Sequence, residues 1–117
     1  LLEGDPQLSP LVLQAFSDSE AQVVIPTIVL AEIHFLYSKK RISVDIQRIF
    51  EYIADTSNVL TYPLDELVVE RLPTQLRIHD AIIVATALVF RDVIGVPVAV
   101  LTRDTQITNS NLVQTIW

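Results

Sequence analysis

Short apolar runs alternating with helical segments predict an α/β domain with a mainly parallel central sheet. Three observations carry that expectation. Residues 22–26, 58–62, 97–102 and 112–117 have the length and composition of strands. Apolar residues at helical spacing fill much of the chain between them. The 117 residues, half of them hydrophobic, suit a single domain with one core.

Taken in order, Gly4-Asp5-Pro6 reads as a loop, and Ser9-Pro10 as the N-cap and first residue of a helix reaching about Ser19. After the strand at 22–26, Thr27 is expected to cap a helix that carries Glu32 and ends near Lys40. Ser43 is expected to cap the next helix, where Ile46, Ile49, Phe50 and Ile53 make an apolar stripe. Beyond the strand at 58–62, Asp65 starts a helix that Pro73 closes, because proline cannot continue it. A long helix spans about 78–93. Residues 97–102 then read as a buried strand, 103–107 as a turn or short helix, and 112–117 as the last strand.

Composition removes several classes of function. Eight basic against fourteen acidic residues give a net charge of -6, which argues against a simple basic nucleic-acid-binding surface. The basic cluster Lys39-Lys40-Arg41 fits a solvated helix C-terminus, where cations meet the negative end of the helix dipole. With only Gly4 and Gly95, a glycine-rich phosphate loop is ruled out. Cysteine is absent, so disulfides and thiolate metal sites are excluded, and a cytoplasmic setting is the expectation. No apolar run reaches the roughly 18 residues of a membrane span, and no secretory signal is evident.

Three acids stand out by their surroundings. Glu32 has Ile28, Val29, Phe35 and Leu36 one helical turn away, which aims its carboxylate at the core side. A buried carboxylate is costly unless paired or bound to a metal. Asp80 heads an apolar helix, where it suits either a first-turn acid or a ligand. Asp104 follows the strand at 97–102, at the carboxyl end where open α/β sheets place their ligands. A turn-starting Asp is the plainer reading of Asp104 alone. Thr102 either offers a hydroxyl to the same place or simply ends the strand. Several carboxylates in one crevice would suit a hard divalent cation such as Mg²⁺, which prefers oxygen ligands and keeps several waters. His34 and His79 receive no catalytic role, since adjacent helical side chains such as His79 and Asp80 do not face each other.

Together these segments resemble the PIN-domain family, in its VapC-type toxin branch. Ile25-Pro26-Thr27 through Ala31-Glu32-Ile33 resembles the second acidic motif of that family, Ile78-His79-Asp80-Ala81-Ile82-Ile83-Val84-Ala85-Thr86-Ala87-Leu88 the third, and Leu101-Thr102-Arg103-Asp104 the fourth. Leu2-Glu3-Gly4-Asp5-Pro6-Gln7-Leu8-Ser9 is similar to the segment after the family's first strand, and residues 112–117 to its last strand. The resemblance implies a three-layer sandwich, a central mainly parallel sheet flanked by helices, spanning 1–117 as one domain. It also implies Mg²⁺- or Mn²⁺-dependent endoribonuclease activity, a homodimer, and a cognate antitoxin that blocks the site. On this basis Glu32, Asp80 and Asp104 are the metal-binding and catalytic acids, with Thr102 in support.

The family pattern begins with a hydrophobic strand ending in an Asp, and this sequence starts at Leu1, after that point. Asp5 falls in the following loop and does not replace that acid. The expectation is therefore an N-terminal segment outside the sequence. The competing reading is a degenerate or truncated PIN-like domain acting as a non-catalytic binding module. A phosphoacceptor module fits poorly, because it needs paired acids near the N-terminus and an Asp ending a central strand.

Overall fold

A computed structural model describes residues 21–117. It is a mixed α/β arrangement with short parallel strands. The expected helix at 9–19 and the opening loop lie outside the described residues.

The chain enters through strand β1, Val23–Pro26, and passes without a loop into helix α1, Thr27–Ser38. Helix α2, Ile46–Asp55, returns it to strand β2, Val59–Tyr62. β1 and β2 pair in parallel, from Val23 opposite Val59 to Pro26 opposite Tyr62. Asn58 braces the entry: its carbonyl accepts from the Val23 backbone N–H at 2.7 Å, and its side-chain amide donates to the Ala21 carbonyl at 3.3 Å. Short helix α3, Glu66–Glu70, leads to helix α4, Ile78–Val89. Strand β3, Ala99–Leu101, helix α5, Thr105–Ser110, and strand β4, Gln114–Ile116, complete the chain. β3 and β4 form a second parallel pair. Among the described residues the strands thus make two separate two-stranded sheets instead of one continuous sheet.

Several boundaries differ from the sequence reading for identifiable reasons. Thr27 does not cap α1. Because strand runs directly into helix, Pro26 occupies the N-cap, and no side chain closes the first turn. Asp45, not Ser43, caps α2, its carboxylate accepting from the Gln47 backbone N–H at 3.0 Å. Both Ser and Asp suit such a position, and local backbone geometry selected the later one. The α-helical part of α4 stops at Val89 and widens into a π-turn, Phe90–Ile94. Gly95 ends it at φ 85°, a left-handed conformation that glycine adopts without a Cβ penalty, and its N–H donates to the Phe90 carbonyl at 2.9 Å. Strand β3 is less buried than expected: Val100 is covered, whereas Ala99 is exposed.

Two apolar clusters hold these elements. One gathers Ile25, Leu30, Ile33, Ile46 and Val59, so it joins β1, α1, α2 and β2. The other gathers Val68, Ile82, Ala85 and Val89, with Ile28, Tyr62 and Leu72 packed against it. α4 is covered nearly all round, burying Ala81, Ile82, Val84, Ala85, Thr86, Ala87 and Val89. Its buried polar side chain, Thr86, is satisfied by donating to the Ile82 carbonyl at 2.7 Å. Asp65, as expected, starts α3, accepting from the Val68 N–H at 3.0 Å and from the Tyr62 hydroxyl at 2.6 Å. Tyr62 in turn meets Phe90 edge-to-face, with ring centroids 5.2 Å apart.

Truncating Ile82 to Ala removes atoms from the second cluster and leaves a cavity, so Ile82→Ala should cost about 2–5 kcal/mol by denaturant unfolding. A second expectation concerns acid. The Tyr62 hydroxyl, and then the Val68 N–H, hold the Asp65 carboxyl below the usual carboxylate range. A depressed folded-state pKa contributes stability above the unfolded value that is lost as pH falls through the folded one. Asp65→Asn should therefore lower the melting temperature at pH 7, with the deficit shrinking in melts taken well below pH 4.

Candidate functional site

Asp80 is placed by a helix that has little freedom to move. It lies in the first turn of α4, immediately before the buried run that begins at Ala81. The N-cap of that helix, Arg77, has extended backbone and makes no side-chain cap, but its carbonyl accepts from the Ala81 N–H at 2.7 Å. Asp80 itself is half-buried.

Asp104 is placed from the other direction, by the end of β3. The Thr102 N–H donates to the Ile116 carbonyl at 3.1 Å and so extends the β3–β4 pairing by one residue. The Thr102 hydroxyl then accepts from the Asp104 N–H at 2.9 Å. Asp104 caps α5, its Oδ1 accepting from the Gln106 N–H at 2.8 Å. Both plain readings of this segment are thus realised: Thr102 ends the strand and Asp104 starts a turn. They also fix where the Asp104 carboxylate points. Arg103, between them, stacks over Trp117 at 5.8 Å and ties the turn to the chain's last residue.

Asp104 lies near enough to Asp80 for its charge to act on it. Burial, followed by the charge of Asp104, raises the Asp80 carboxyl above its ordinary range. Arg77 and His79 oppose this rise without cancelling it. Two acids held this close repel when both ionise, which is the situation a divalent cation relieves.

Glu32 behaves differently from its sequence expectation. Its side chain is 42% exposed, and the buried residues of α1 are Leu30 and Ile33. The apolar neighbours that suggested a buried carboxylate are themselves partly outside: Phe35 is 58% exposed. Apolar flanks on one helix turn did not mean an interior position. The partner of Glu32 is His79, with Nδ1 3.9 Å from Oε2. Sequence reasoning gave His79 no role. The sequence sets His79 beside its chain neighbour Asp80, whereas the contact runs between α1 and α4.

Asp80 and Asp104 therefore come together, Glu32 pairs with His79, and Thr102 braces Asp104. Among the described residues no set of three or more His, Asp or Glu side chains is spaced to enclose a metal ion. The pair alone still suits Mg²⁺, which often binds through one or two carboxylates and retains its waters. A separate groove of about 640 Å³ is lined by Thr27, Leu30, Ala31, Ile46, Phe50 and Ile53 among others. It is apolar and includes none of the three acids, so it does not contribute to this chemistry.

Comparison with protein-family models, with curated proteins and with solved structures returned no match.

The raised Asp80 carboxyl sets a pH expectation. A folded pKa above the unfolded one means that the native state binds the extra proton, so stability falls as pH rises from the unfolded value through the folded one. Asp80→Asn removes that cost. It should melt higher than the parent chain at pH 7, and the advantage should vanish when both are melted below pH 4 in the absence of divalent ions.

Proposed function

We propose that this chain is a metal-dependent endoribonuclease with a PIN-like sandwich fold. The observation that supports the reading is the influence of Asp104 on the half-buried Asp80, one beyond the carboxyl end of a strand and one at the start of a buried helix. The sequence resemblance supplies the reaction class. In this reading Asp80 and Asp104 hold Mg²⁺ or Mn²⁺, and Glu32 completes the acidic group. The ion supplies Lewis-acid polarisation of a phosphoryl oxygen and a more acidic bound water. The protein's own residues do the rest. Thr102 fixes the Asp104 backbone, the α5 cap orients its carboxylate, and Arg77 lends positive charge beside Asp80 where an RNA phosphate approaches.

The net charge of -6 is compatible with an RNA substrate, since a bound cation inverts the sign of the site locally. By the same resemblance the domain serves as the toxin of a type II toxin–antitoxin pair, acts as a homodimer, and is blocked by a cognate antitoxin. The carboxylate pair is a natural seat for a basic antitoxin side chain. No helix among the described residues is long and apolar enough to cross a membrane.

The turn of Glu32 toward His79 favours one alternative, a domain that retains the acidic pair but only binds. Cleavage of a mixed single-stranded RNA with Mn²⁺ separates the two. The nuclease reading expects cleavage that EDTA abolishes and that Asp80→Asn and Glu32→Gln each reduce at least about a hundredfold, about 2.7 kcal/mol of barrier. Circular dichroism should show both variants folded. A folded parent chain that leaves the RNA intact would establish the binding module instead.

A further inference from the structure

We propose that the exposed end of α1, where Phe35 stands beside Lys39, Lys40 and Arg41, is a second contact surface for single-stranded RNA, apart from the acidic pair. A base stacks on the Phe35 ring, and the three cations hold backbone phosphates. The inference rests on the reading of RNA as the substrate, and it needs no metal ion.

The way α1 stops is the first observation. Backbone groups already satisfy its last carbonyls: the Lys40 N–H donates to the Tyr37 carbonyl at 2.9 Å, and the Arg41 N–H to the Leu36 carbonyl at 2.9 Å. Glycine usually completes this paired closure, at the residue that turns left-handed. Here Lys40 occupies that place, at φ 59°. A residue with a Cβ is disfavoured there, so the position keeps a cation against the preference of its backbone. Attraction to the helix dipole falls off within the last turn. That turn of α1 holds no basic residue, and the three cations follow it.

What surrounds the cations is the second observation. Lys39, Lys40 and Arg41 are exposed, and among the described residues none of them forms an ion pair. Three of the eight basic residues thus stand side by side in a chain of net charge -6. Phe35, one turn before Lys39 on the same helix face, is 58% exposed. Lys39 orients its ring by a cation–π contact, 5.5 Å from the centroid. A charge cluster alone fits any polyanion. An oriented, solvent-facing ring beside it favours a polyanion with unpaired bases, because bases of every kind stack on an aromatic side chain. Duplex RNA keeps its bases inside, and an acidic peptide or an anionic lipid surface offers charge without bases.

The test is fluorescence anisotropy of a short labelled oligouridine with the full chain, in EDTA, across a salt series. Replacing Lys39, Lys40 and Arg41 together by Ala is expected to lower the slope of log affinity against log salt by about two, at about 0.7 per phosphate on a single strand. Phe35→Ala should weaken binding about five- to a hundredfold at an unchanged slope, and Phe35→Tyr should retain it. Lys40→Gly separates binding from structure. It should melt at or above the temperature of the parent chain, yet bind about two- to fivefold more weakly at about 0.1 M salt. A parent chain that does not bind the oligouridine in EDTA, or unchanged affinity in the triple variant or in Phe35→Ala, overturns the proposal. Poly-glutamate or phosphatidylserine vesicles that bind as tightly as the oligouridine, with the same loss in Phe35→Ala, also overturn it, in favour of a peptide or lipid partner. With no metal present, the failure of RNA cleavage bears on the acidic pair alone, and the failure of these binding differences bears on this surface alone.

Discussion

Helix α4 is the constraint on which the rest of the structure depends. It packs against α1, α3, β1 and β3, and so bridges two strand pairs that are not hydrogen-bonded to each other. Small residues make that possible. Ala81, Ala85 and Ala87 let neighbouring elements approach closely, while Ile82, Val84 and Val89 fill the space between them. A helix covered on nearly every side cannot rotate or slide without opening cavities in both directions. Its first turn is more open, with Ile78 61% exposed, and Asp80 sits where that turn meets the buried run at Ala81.

That placement gives the acidic pair its chemical meaning. Asp104 is anchored independently, by the Thr102 hydroxyl and by the cap of α5. Asp80 is half-buried and Asp104 exposed, and burial first, then the charge of Asp104, makes the Asp80 carboxyl hold its proton more tightly. A raised carboxyl at the junction of a buried helix and a strand end is a candidate functional position.

Much of this was legible in the residues. The β-branched runs at Val23–Pro26 and Val59–Tyr62 are too short for anything but strands, and both appear within a residue of their expected limits. Asp65 announced a helix start through its position before a helical stretch, whereas Asp104, which reads as a turn-starting Asp, caps the helix at Thr105–Ser110. What sequence could not supply was information carried across elements. The exposure of Glu32 depends on what covers Phe35, and no pattern within α1 records that. The partner of Glu32 lies 47 positions away on α4, at His79. Separation of the described strands into two pairs is likewise a tertiary outcome, because strand propensity fixes neither neighbours nor order. Capping failed in a smaller way: Ser43 and Asp45 are both good N-caps, and the choice between them rests on backbone geometry alone.

The proposed divalent-cation site rests on Asp80 and Asp104 binding the ion jointly. The most direct measurement is the melting temperature of the parent chain and of Asp104→Asn at pH 7 across a Mn²⁺ titration, with Ca²⁺ and Mg²⁺ in parallel. A cation that binds the native pair stabilises by mass action, adding about 2.7 kcal/mol at a hundred times its dissociation constant. A saturable rise in the parent chain that is lost in Asp104→Asn is the predicted result. Equal responses in the two chains, or a flat titration in both, would contradict the account.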